Sequence, residues 1–141
     1  MHSPLAFDLT VTSLLAPLVR GQSVTLLPER SVLEEMSGAL RNGPGYCLLK
    51  LTPAHIEGLG YMLAPSDVPG KVGALVIGGE ALRAESLAFW RSADPGLKIV
   101  NEYGPTETVV GCCVHEVTSD DLSSGEVPIG RPIANTQLYI L

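Results

Sequence analysis

The chain has 141 residues, a formal net charge of −6, 45% apolar residues and a positive mean hydropathy. That composition argues against disorder and allows one domain with its own core. The acidic balance disfavours nucleic acid or an anionic membrane as partner, and no apolar run approaches the roughly 20 residues of a membrane span.

Asp8 precedes a predicted helix, Leu9 to Val19, stopped at Gly21; as an isolated feature it reads as a helix N-cap. Ser23 to Leu27 reads as a strand. Ser31 to Leu40 carries Val32, Leu33, Met36 and Leu40 near helical spacing. After the turn cluster Asn42-Gly43-Pro44-Gly45 comes a buried strand, Tyr46 to Leu51, interrupted by Lys50. An ammonium there is either snorkelling from an edge strand or paired. Thr52-Pro53 opens a helix with a cap and a first-turn proline, running to about Leu63. Pro65 to Gly70 is expected as a loop, Ala74 to Ile77 as a strand, Arg83 to Ser92 as a helix, and Lys98 to Val100 as a strand.

That last strand feeds Asn101-Glu102-Tyr103-Gly104-Pro105-Thr106-Glu107-Thr108, expected as a loop where open α/β sheets place ligands. Tyr103 offers a face for a base, Thr106 a hydroxyl for a phosphate oxygen, and Glu107 a hard ligand for magnesium. Beyond it are expected a strand over Val109 to Val114, a polar loop over Ser119 to Ser124 and a final strand over Gln137 to Leu141. Alternating strands and helices predict an α/β fold, flavodoxin-like and three-layered, with a mainly parallel sheet and a strand-rich C-terminal tail. The division expected is an α/β unit over residues 3–116 and a loop with a tail strand over 117–141. Cys47, Cys112 and Cys113 lack metal or redox spacing and read as buried thiols in a reducing cytoplasm; the histidines are scattered and suggest no metal site.

The octet resembles the nucleotide-binding signature of AMP-forming adenylating enzymes, specifically the amino-acid adenylation domains of nonribosomal peptide synthetases. Phe7-Asp8-Leu9-Thr10 is similar to that family's amino-acid-binding motif, and Leu75 to Leu82 to its adenine-bordering strand and turn; Ile129-Gly130-Arg131-Pro132, followed by Asn135-Thr136-Gln137, also resembles the family. By this resemblance Gly79, Glu80 and Ala81 border the adenine of ATP, Asn101 lies near its polar edge, Tyr103 stacks on it, Thr106 contacts the α-phosphate, and Glu107 helps hold magnesium. Thr106 and Glu107 are thus the catalytic candidates. For Glu80 an ordinary helix-start acid is an equal alternative.

The resemblance makes Asp8 the partner of the substrate's α-ammonium group, a task that suits a carboxylate in a dry site. It places Leu9, Thr12, Lys50, Val76, Gly78, Glu102, Val110 and Gly111 around the substrate side chain. Lys50 can donate to a carboxamide oxygen while Glu102 accepts from its NH2. The set resembles that of asparagine-activating domains. Aspartate would meet Glu102 with like charge, whereas glutamine differs by one methylene, worth only about 1–3 kcal/mol.

The family's phosphate-gripping loop, its ribose-binding Asp motif and its C-terminal domain with the catalytic Lys do not occur in these residues. The expectation is therefore an internal subdomain of an adenylation domain, inactive by itself, whose partners are asparagine, ATP, the rest of that domain and a carrier-protein domain. Two other readings stay open: a stand-alone module that binds a small molecule or nucleotide, and a piece of another AMP-forming acyl ligase. Asp8 argues against the latter, because an acyl substrate has no ammonium group to pair.

Overall fold

The computed structural model describes residues 1–2, 6–28, 30–107, 110–123 and 125–139. Its centre is a mixed five-stranded sheet in the order β1 (Leu49–Leu51), β2 (Ala74–Gly78), β3 (Lys98–Tyr103), β4 (Cys113–Glu116), β5 (Arg131–Pro132). The first three strands are parallel, and β4 and β5 add antiparallel. Parallel neighbours require crossovers, supplied by α3 (Pro53–Met62) and by a 3-10 turn, Ala84–Leu87, that runs into α4 (Ala88–Ala93). Before them lie α1 (Leu9–Val19) and α2 (Val32–Asn42).

Strand alternation sorts the two faces of the sheet. Leu51, Leu75, Ile77 and Ile99 are fully buried and share a core with Met36 and Leu40 of α2, Ile56 and Leu59 of α3, and Trp90 of α4. The Trp90 indole donates to the Ile56 carbonyl at 3.1 Å, which satisfies its one polar atom. The intervening residues, Lys50, Val76, Val100 and Glu102, face the other way. There α1 packs on β1, and Lys50 donates from Nζ to Thr12 Oγ1 at 3.0 Å. The result is the expected α/β/α layering, with the core on one side of the sheet and a polar pocket on the other.

Local signals explain most boundaries. Thr52 caps α3, accepting from the His55 amide at 3.4 Å, and Pro53 takes the first turn, where its missing N–H costs nothing. Gly21, with φ of 67°, follows the end of α1.

Several expectations are corrected. Asn101 to Tyr103 belong to β3, so among the described residues of the octet only 104–107 are loop. Residues 23–27 form no strand, because no ladder reaches them: Leu27 N donates to Met1 O at 3.0 Å, and the Met1 ammonium donates to Thr25 O. The helix expected over 83–92 opens as a 3-10 turn. The 65–70 loop contains a short 3-10 turn, Pro65–Asp67, and the 119–124 loop another, Asp120–Ser123. The strand expected from Val109 starts at Cys113, where pairing with Tyr103 begins; Thr108 and Val109 lie outside the described residues. Of the final strand, residues 137–139 carry no regular structure and 140–141 lie outside the described residues; the strand of that region is β5. Cys112 and Cys113 are buried, but Cys47 is exposed.

Candidate functional site

Register brings together residues expected around the substrate side chain. Lys50 pairs with Val76 across β1 and β2, and Gly78 pairs with Glu102 across β2 and β3. All four project from the face under α1, so residues far apart in sequence become neighbours. The Lys50 ammonium forms an ion pair with Glu102 Oε2; the two side chains are 0% and 13% exposed. Lys50 is therefore paired and buried, not snorkelling. Its third contact, Thr12, comes from one turn inside α1.

Two glycines shape this pocket. A Cβ on Gly78 would lie 2.7 Å from the Glu102 carbonyl oxygen. A Cβ on Gly111 would enter the van der Waals shell of the Glu102 carboxylate itself. Gly111 thus passes directly against the acid that it accompanies in sequence expectation. Val76 and Val110 are partly buried, and Leu9 is buried at the start of α1.

Asp8 makes no side-chain cap on α1, contrary to the isolated-helix reading. Its Oδ2 instead accepts from Thr106 Oγ1 at 3.0 Å. This contact across 98 residues joins the proposed ammonium reader to the proposed phosphate contact. Nothing in the sequence spacing points to it.

Beside this junction opens a cavity of about 530 Å³, bordered by Asp8 and Leu9, by Gly79, Glu80 and Ala81, by Asn101 to Thr106, and by Val110. Tyr103 is 43% exposed, leaving ring surface for a planar ligand. Gly79 takes φ of 93°, a conformation that glycine adopts without strain, and carries the chain around the cavity's rim. Glu80 and Glu107 are exposed, and Glu107 lies next to Thr106.

Asn101 points its amide toward the core side, donating to Val127 O at 3.2 Å and Pro128 O at 2.9 Å. It thereby fastens residues 126–129, which close another side of the cavity through Glu126, Val127 and Ile129. Of these, Ile129 opens the Ile129–Pro132 run singled out in the sequence, whereas Glu126 and Val127 were not anticipated.

A larger cavity, about 820 Å³, lies between the C-terminal half of α1, residues 20–27 and the Tyr46–Lys50 segment. Of the expected site residues only Lys50 borders it. Convergent polar groups favour the smaller cavity as the ligand site.

The histidines are less scattered than their sequence positions suggest. His2 and His55 meet edge to face at 4.7 Å, and His115 pairs with Asp121 at 2.9 Å. Burial lowers the His2 and His55 pKa values from the usual histidine range. Among the described residues no group of three or more His, Cys, Asp or Glu could hold a metal ion, and no helix is long and apolar enough to cross a membrane.

The chain resembles known proteins in sequence and in fold. The chain is 36% identical over 143 residues to bacitracin synthase 3 of Bacillus licheniformis, covering all of this chain and 2% of that protein. Its structure resembles that of PA1221, an NRPS protein containing adenylation and PCP domains, with a TM-score of 0.76 at 30% identity over 94% of this chain and 26% of PA1221. It also resembles the α-methyl-L-serine-AMP-bound form of the nonribosomal peptide synthetase FmoA3, with a TM-score of 0.83 at 25% identity over 94% of this chain and 15% of that one. The chain thus spans a small part of the proteins it matches. A family described as AMP-binding enzyme matches residues 1–141, the whole length, and the chain belongs to that family.

Proposed function

We propose that this chain is the substrate-selecting subdomain of an amino-acid adenylation domain in nonribosomal peptide synthesis, and that the amino acid selected is L-asparagine. The observation that carries the reading is the Lys50–Glu102 pair, desolvated under α1 with Thr12 on the ammonium and Gly111 against the carboxylate. An asparagine carboxamide inserted between the two offers its oxygen to Lys50 and its NH2 to Glu102, so each charge exchanges one partner for another. Aspartate would bring a second carboxylate against Glu102, which a desolvated pocket penalises heavily.

Asp8 holds the substrate ammonium. Because Asp8 already touches Thr106, ammonium capture fixes the substrate carboxylate close to the hydroxyl that meets the α-phosphate. Tyr103 and the Gly79–Ala81 turn receive the base of ATP in the 530 Å³ cavity. Magnesium, when bound, neutralises phosphate charge; Glu107 would hold it together with phosphate oxygens and water, as a single carboxylate suits that ion. The chain's own contribution is positioning and charge complementarity. The parent protein joins this subdomain to the rest of an adenylation domain and to a carrier-protein domain that takes the activated residue, an arrangement supported by the likeness to PA1221.

The test is amino-acid-dependent ATP–pyrophosphate exchange after grafting residues 1–141 into a complete adenylation domain of different specificity. Exchange shifted to asparagine over aspartate and glutamine supports the reading. Exchange retained with the host's own substrate, or moved to aspartate, overturns the pocket assignment.

A further inference from the structure

β1 is an edge strand, paired on one side only. Its outer carbonyl at Lys50 is taken by a side chain: His2 Nε2–H donates to Lys50 O at 3.0 Å from a ring that is only 8% exposed. The back of that ring meets His55 at 4.7 Å, and His55 Nδ1 lies 2.7 Å from Thr52 Oγ1. Thr52 Oγ1 also accepts from the His55 amide, so the ring and the helix cap share one hydroxyl. The stack thus runs from the α3 cap, through two imidazoles, to the backbone of the buried lysine.

We propose that His2, backed by His55, is a positioning residue for Lys50: the neutral imidazole pair sets the height of the edge strand, and so keeps the Lys50 ammonium against Thr12 and Glu102. The inference rests on Lys50 as the reader of the substrate side chain.

Among the described residues, the hydrogen bond to Lys50 O favours protonation of His2, Glu80 favours protonation of His55, each histidine opposes the other, and desolvation outweighs these at both rings. The Lys50 ammonium itself lies on the opposite face of the strand, turned to Thr12 and Glu102. Protonation of both rings places two like charges 4.7 Å apart. The stack opens, and the edge strand is released at Lys50.

The experiment is a pH titration of the isotopically labelled 141-residue chain by NMR, following the ring nitrogens of His2 and His55, the Lys50 carbonyl carbon and the Lys50 15Nζ. The expected result is a Lys50 carbonyl shift that tracks His2 protonation at a midpoint below that of a free histidine, with the slowly exchanging Nζ signal lost in the same step. His2→Leu should lose the Nζ signal at every pH. His2→Gln, which keeps a donor without a titrating ring, should restore it and make the Lys50 carbonyl flat across that range. A Lys50 carbonyl that ignores the His2 titration overturns the proposal, as does an Nζ signal unchanged in His2→Leu. Should His2→Leu fail to fold, the wild-type titration and His2→Gln decide alone. No amino acid enters this measurement, so failure of the asparagine reading shows up separately, in the exchange assay.

Discussion

Removing the Lys50 ammonium while Glu102 stays strands a carboxylate among apolar walls. Lys50→Met is therefore expected to destabilise the fold by about 3 kcal/mol in denaturant unfolding, the lower end for a broken buried pair because Glu102 keeps some exposure. The double variant Lys50→Met with Glu102→Leu should recover most of that loss, since it removes both charges; a double variant as unstable as the single one would rule out the stranded-charge account. Gly111→Ala acts through shape. Its methyl group occupies the space of the Glu102 carboxylate, so in the grafted domain the KM for asparagine should rise about tenfold, equivalent to about 1.4 kcal/mol, with the KM for ATP unchanged. Sequence alone offered Lys50 as an oddity with two opposed meanings. Only its neighbours Thr12 and Glu102, brought in by α1 and β3, decide between them.

At the scale of elements, the sheet is held against its helices by α4 and by the ends of β3 and β4. Trp90 is fully buried with its indole satisfied, and Trp90→Ala should cost about 3–5 kcal/mol by the same unfolding measurement. Arg91 follows it and donates to the Leu97 and Val117 carbonyls, both at 2.6 Å, tying the start of β3 to the end of β4. The α1, α2 and α3 segments were legible from spacing and caps, because each signal is contained within one helix. The expected strand at 23–27 was not realised, because a strand exists only where another strand accepts its backbone, and here Met1 does so instead. The octet was misassigned as all loop for a related reason: β3 is extended by pairing with β4, a partner invisible in the local sequence.

At the scale of the whole molecule, stability should fall with acid in two stages. His2 and His55 have lowered pKa values in the fold, so the unfolded chain binds their protons first; stability is fully present above the unfolded histidine value near 6.5 and declines as pH falls below it. Asp121 accepts from the Thr118 backbone and hydroxyl and from His115, which hold its carboxyl down at about 2 from an ordinary 3.8. Its contribution is complete above the ordinary value and is lost as pH falls through about 2. Thermal unfolding followed from pH 8 to pH 2 should show both declines, and Asp121→Asn should remove the lower one while sparing the upper. A single decline confined to the carboxylate range would count against neutral, buried imidazoles.

The sequence by itself determined the family, the α/β class, the principal helices and the residue types of the pocket, because motifs, caps and apolar periodicity are local and survive without a partner. The tertiary structure decided what those residues do to one another. It set Lys50 against Glu102 and Thr12, turned the Asp8 carboxylate to Thr106, made Asn101 the anchor of the 126–129 wall, and set His2 edge to face against His55. Each of those contacts crosses from one element to another, and strand register and helix placement, which are properties of the packed sheet, alone bring such side chains within reach.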